Sequence, residues 1–211
     1  MQPCEGLPSA EGSPNTGAIV PLFPLPGVFL FPGTVMPLHI FEPRYRQMIE
    51  DSLDSPGRLV MATVLEGHED ELPGAPPVHH IAGLGEIMRH ERLPDGRFLI
   101  LLAGIARVLI REVPSRKLYR SAEAIPLREV PVPAARARAL RPQLLRALAQ
   151  RSREPIEIPN DMPLGQITDL LLIRLELPQS LMQELFSLTK VDERAKRVLE
   201  QHAAKPRARR G

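Results

Sequence analysis

Between Leu22 and Arg46 the chain reads LFPLPGVFLFPGTVMPLHIFEPRYR, and no other stretch restricts the possible folds as much. With Pro21 just outside it, this stretch holds six of the 24 prolines; it also holds four of the six phenylalanines and carries hardly any charge. A segment so apolar is not a free linker. Pro26-Gly27 and Pro32-Gly33 each preset one turn position and supply an unhindered second, so the chain reverses or kinks at both. Between them Val28-Phe29-Leu30-Phe31 reads as a buried extended segment. Thr34 to Ile40 reads as a β-strand whose internal Pro37 must lie at an edge or a bulge. Pro43 then suits a first helical turn, and Tyr45, Met48, Ile49 and Leu53 follow at helical spacing.

The rest of the chain follows the same grammar as far as a second proline cluster. Residues 1–17 are rich in Gly, Pro and Ser and are expected to be a disordered tail. Arg58 to Leu65 reads as an interior strand apolar on both faces, and Glu66 to Pro77 as an acidic loop. Val78 to Arg92 reads as a strand with a bulge near Gly83 and Gly85, turned by Leu93-Pro94-Asp95-Gly96 into a partner strand, Phe98 to Ala103. Gly104 is expected to break that strand before another from Ile105 to Val113, and Tyr119 to Leu127 closes the set. Short strands with Gly/Pro turns and no strand-helix alternation predict a closed or nearly closed antiparallel barrel over 18–130.

After the stiff Val130-Pro-Val-Pro133 connector the period changes. Stripes at Leu140/Leu144/Leu145/Leu148, Leu164/Ile167/Leu170/Leu171/Leu175, Leu181/Met182/Leu185/Phe186/Leu188 and Val191/Ala195/Val198/Leu199 predict four helices packed as a bundle over 134–204. The fold class is therefore α+β. The net charge of +2 is concentrated in a terminal basic tail over 205–211, which carries four cations and leaves the remainder slightly acidic. Cys4 is the single cysteine, no apolar run approaches the roughly 18 residues that span a bilayer, and no secretory pattern opens the chain. A cytoplasmic protein without a membrane partner is expected.

The run from Leu22 to Leu53 resembles the opening of the N-terminal, substrate-recognition domain of Lon proteases: L-P-L, a short apolar stretch, F-P-G, then P-L and a helix. The likeness continues at Gly85-Glu86-Ile87, at Leu93-Pro-Asp-Gly-Arg-Phe98, at Gly104-Ile-Ala-Arg-Val108 and at Asp192-Glu193-Arg194, spanning roughly residues 18 to 203. The resemblance implies a PUA-like β-barrel followed by helices, and a module that binds polypeptide.

Lon proteases join such a domain to an ATPase and a Ser-Lys peptidase. Here no glycine is followed by lysine, so the Gly-Lys-Ser/Thr of a phosphate-cradling loop is missing, and no serine sits in a turn that would present it as a nucleophile. The expectation is a non-enzyme with no cofactor and no metal. His68-Glu-Asp-Glu71 lacks the i, i+4 histidine pair that shares an ion on a helix, and adjacent His79 and His80 on a strand point apart. His39 has no nucleophile or carboxylate placed against it, and Gly83-Leu-Gly85 lacks the third glycine of a dinucleotide site. What remains is a candidate polypeptide-binding surface of Phe29, Phe31, Met36, Phe41, Arg44 and Tyr45, more large groups than one small sheet face buries. Its expected partner is an unfolded or extended polypeptide, with a protease or chaperone behind an adaptor role in protein quality control. The alternative is RNA, held by the barrel and by a helix bearing Arg136, Arg138, Arg141, Arg146, Arg151 and Arg153, although the interleaved aromatics of base stacking are absent.

Overall fold

The computed structural model describes residues 17–152, 154 and 157–205. Apart from Gly17 and Lys205, the two expected end segments lie outside the described residues, as does Arg153. Among the described residues six strands and five α-helices follow in the order β1 (Ala18–Leu25), β2 (Val35–Ile40), α1 (Pro43–Leu53), β3 (Arg58–Thr63), β4 (Ile81–Arg92), β5 (Phe98–Val113), β6 (Arg120–Pro126), α2 (Ala134–Arg151), α3 (Leu164–Ile173), α4 (Gln179–Ser187) and α5 (Val191–Ala204). Proline sets four of the helix starts: Pro43 opens α1, and Pro133, Pro163 and Pro178 stand immediately before α2, α3 and α4. At these places its fixed φ fits and its missing N–H costs no helical bond.

The sheet runs β2-β5-β4-β3-β1-β6, and β6 also pairs with β5, so the pairings return on themselves with β2 attached outside the ring. It is a mixed sheet rather than the antiparallel one expected, because β1 and β3 are parallel, with Leu22 opposite Val60 and Leu25 opposite Thr63. Parallel neighbours need a long crossover. The chain between them, through β2 and α1, supplies it.

Two further expectations are corrected by one contact. Val28 to Phe31 is not strand but irregular chain, and Gly104 does not interrupt β5, which is continuous over Phe98–Val113. The irregular segment lies directly on the sheet. A Cβ at Gly83 would sit 2.3 Å from the Leu30 carbonyl oxygen, and one at Gly104 only 2.1 Å from that of Phe31. The glycines are there to admit a crossing backbone, not to end strands.

Three cores result. Leu30, Ile40, Leu59, Met61, Phe98, Ile100 and Leu102 pack under Tyr45, Met48 and Ile49 of α1. Val20, Leu22, Val60, Ala62, Val108, Ile110 and Ala122 fill the other side of the central strands. The four later helices close around Leu144, Leu148, Ile167, Leu171, Leu185, Phe186 and Val198, with Phe31 inserted from the sheet side.

Candidate polypeptide-binding surface

Because β2 ends the strand order and, among the described residues, pairs only with β5, no described strand occupies its other edge. The Gly104 N–H donates to the Thr34 carbonyl at 2.8 Å, one step before the Val35–Ala103 pair. Hydrogen-bonded pairs alternate along an antiparallel ladder. Met36, Leu38 and Ile40 therefore bond to β5, while the main-chain groups of Val35, Pro37 and His39 point off the free edge. Pro37 thus occupies a position where its missing N–H costs the sheet nothing.

Side chains alternate as well. Met36, Leu38 and Ile40 turn toward the core beneath α1. Val35, Pro37 and His39 face outward, beside exposed Leu99 and Leu101 on β5. An open cleft of about 520 Å³ lies over this outer face, with Pro37, His39, Leu99, Leu101, Arg89 and Glu91 on its walls. Phe41, just past β2, is 59 % exposed, and its ring centroid lies 6.0 Å from that of His39.

The six residues singled out in the sequence do not share one surface. Phe31 is 2 % exposed and meets Phe186 edge-on, with centroids 5.0 Å apart, in the helical core. Phe29 is half-buried on the same ring at 5.6 Å. Tyr45 is 5 % exposed, edge-on to Phe23 at 4.6 Å; burial pushes its hydroxyl pKa up. Arg44 stacks on the Tyr45 ring at 4.5 Å, pairs with Glu42 at 3.0 Å and donates to the carbonyls of Leu72 and Gly74, pinning the acidic loop. Met36 is half-buried, and Phe41 alone of the six is widely exposed.

The sequence reading missed an ionic cluster that joins the sheet to the helices. Arg107 of β5, 2 % exposed and covered by the helices, donates to Asp169 of α3 at 2.8 Å, to Glu129 at 3.1 Å and to the Phe186 carbonyl at 2.7 Å. Its guanidinium also lies 4.8 Å from the Phe186 ring centroid. Arg194 of α5, fully buried, pairs with the same Asp169 at 3.1 Å and with Glu129. Two cations and two anions balance. Burial pushes the Asp169 carboxyl up against the pull of both guanidiniums, and burial likewise lowers Arg107. Both arginines lie in segments that carried the family likeness, but nothing local marks them as partners.

The arginines of α2 are largely committed within the fold. Arg136 pairs with Asp192 at 3.2 Å, Arg141 donates to the carbonyls of Pro159 and Met162, and Arg151 to those of His202 and Lys205. Arg138 and Arg146 are exposed on the same helix. In the acidic loop His68 lies 2.7 Å from Glu71, and among the described residues no group of three or more His, Cys, Asp or Glu side chains could hold a metal ion. No helix among them is long and apolar enough to cross a membrane.

The described residues thus form a mixed sheet with an exposed apolar margin, buttressed by helices. The family described as the ATP-dependent protease La (LON) substrate-binding domain matches residues 19–201, and the chain belongs to that family. A Lon protease of Flavobacterium johnsoniae is 31 % identical over 103 residues, 49 % of this chain and 12 % of the protease. A Lon protease of Anaeromyxobacter dehalogenans is 23 % identical over 214 residues, 95 % of this chain and 25 % of its own length. The chain thus spans a quarter or less of these relatives. The N-terminal domain of Mycobacterium avium complex Lon protease superposes with a TM-score of 0.66 at 17 % identity, covering 90 % of this chain and 100 % of that one, and so shares the fold.

Proposed function

We propose that this protein binds unfolded or extended polypeptide without reacting with it, and serves as an adaptor in cytoplasmic protein quality control, delivering chains to a protease or chaperone. Membership of a substrate-binding family supports the kind of ligand. The observation that carries the location is the uncharged outer margin of the sheet, where Val35, Pro37, Phe41, Leu99 and Leu101 are exposed together beside a free strand edge. A soluble chain keeps such apolar groups in contact with water at a cost that a ligand relieves. Of the residues chosen from the sequence, Phe41 belongs to this margin, while Met36 lies on the opposite face of β2, toward the core. Phe29 and Phe31 pack in the helical core, Tyr45 lies in the core under α1 and Arg44 is spent on the acidic loop, so none of the four lines this margin. The returning strand order supports reading the sheet as the PUA-like barrel that the family likeness implies, with 18–130 and 134–204 as its two subdomains.

Fluorescence anisotropy with labelled casein and with reduced, carboxymethylated α-lactalbumin tests the reading. Saturable binding is expected, weakened at least fivefold by Phe41→Asp with the melting temperature unchanged. Absence of binding to either chain, at concentrations well above those of a micromolar interaction, ends it.

A further inference from the structure

We propose that the free edge of β2 takes up an extended, uncharged apolar segment as an added strand, with Pro37 leaving a single gap in the new ladder; this rests on the polypeptide-binding reading above and specifies how the segment is held. The main-chain groups directed off that edge are the N–H groups of Val35 and His39 and the carbonyls of Val35, Pro37 and His39. At about 3.3 Å per residue they span about 13 Å, the reach of a five-residue extended core. An incoming strand bonds to them in alternation, and its side chains on the outer face land beside Val35, Pro37, His39 and Phe41, next to the cleft floored by Leu99 and Leu101.

Charge complementarity selects the occupant. β2 contains no Asp, Glu, Lys or Arg, and the charges on the cleft wall, Arg89 and Glu91, are opposite in sign and two residues apart on β4. The Arg89 and Glu91 charges cancel and the other polar side chains on the wall are His39 and His90, so an acidic or basic segment finds no net counter-charge from them. An uncharged apolar segment has no charged side chain to desolvate, gains by burying its apolar groups, and exchanges the hydration of its main chain for bonds to the edge of β2.

Edge strands are commonly guarded by lysine, by shortness or by proline. On β2 the guard is Pro37 in mid-strand, and its effect is specific. The carbonyl of the residue opposite Pro37 receives no donor, while that residue's N–H still reaches the Pro37 carbonyl. The ladder is one bond short of complete, which holds affinity down without preventing docking.

The test uses the full chain, isothermal titration and the tightest-binding ten-residue peptide from a tiled set covering α-lactalbumin. That peptide is then N-methylated at one position at a time. Strand addition predicts a period-two pattern, with about fivefold loss or more at alternate residues and little between them, since each methyl removes one net hydrogen bond. His39→Pro is expected to weaken binding about fivefold and Pro37→Thr to strengthen it several-fold. Both variants should melt like the wild type, because neither position bonds to β5. If peptides bind but methylation acts without period and His39→Pro has no effect, strand addition is overturned while polypeptide binding stands. If neither the peptides nor unfolded α-lactalbumin bind, both fail. If sedimentation shows a dimer that His39→Pro dissolves, the edge belongs to a second copy and the proposal is wrong.

Discussion

Phe31 and Phe41 come from the same short segment and meet opposite fates. Phe31 turns onto Phe186 beneath the Arg107 guanidinium, so Phe31→Ala should cost about 3–5 kcal/mol in urea unfolding by loss of burial and opening of a cavity. Phe41→Ala should change stability by no more than about 0.5 kcal/mol while weakening polypeptide binding. Gly104→Ala should lower stability by about 2–3 kcal/mol, since the added carbon must displace the Phe31 carbonyl or the strand beneath it. Tyr119 supplies a pH signature. Burial, together with the hydroxyl's 2.9 Å bond to Asp51, pushes its pKa up to about 12. A pKa raised in the folded state contributes stability below the unfolded value of about 10 that is lost as pH climbs toward 12. Thermal melts between pH 9 and pH 12 should therefore fall more steeply for the wild type than for Tyr119→Phe.

Most elements were legible because each is written in local pattern. The alternation of β2, the Asp-Gly hairpin and the four helical stripes required nothing beyond neighbouring residues. The failures came where tertiary contact overrides local preference. Gly104 looks like a break and is a crossing point, and the apolar Val28-Phe29-Leu30-Phe31 run looks like a strand but lies over the sheet. The parallel β1–β3 pair depends on the path of an intervening helix. The candidate surface was only partly legible, since the sequence marks Phe41 and Phe31 as equally greasy and burial alone separates them. The ionic cluster was not legible at all: Arg107 finds its partners 22 and 62 residues away, and Arg194 reaches back 65 to Glu129. Asp169→Asn tests what the cluster contributes. It leaves two buried guanidiniums with one carboxylate between them and should cost about 3–5 kcal/mol, measured by denaturant unfolding.

At the scale of the molecule, the cluster draws on β5, the chain before α2, α3 and α5, and Phe31 of the sheet half sits in the helical core. Sheet and helices therefore stabilise one another. Far-ultraviolet dichroism and the near-ultraviolet tyrosine signal should report one shared transition, and Asp169→Asn should separate them if the halves retain any structure alone. Pro37 has a last consequence, for how crowded the protein can become. Were two β2 margins to meet head to tail about this residue, each would lack the donor the other needs, so copies make poor company for one another even where a foreign strand is tolerated. Restoring the missing donor with Pro37→Thr should sharpen the grip on clients and, in the same stroke, bring turbidity on at lower protein concentration.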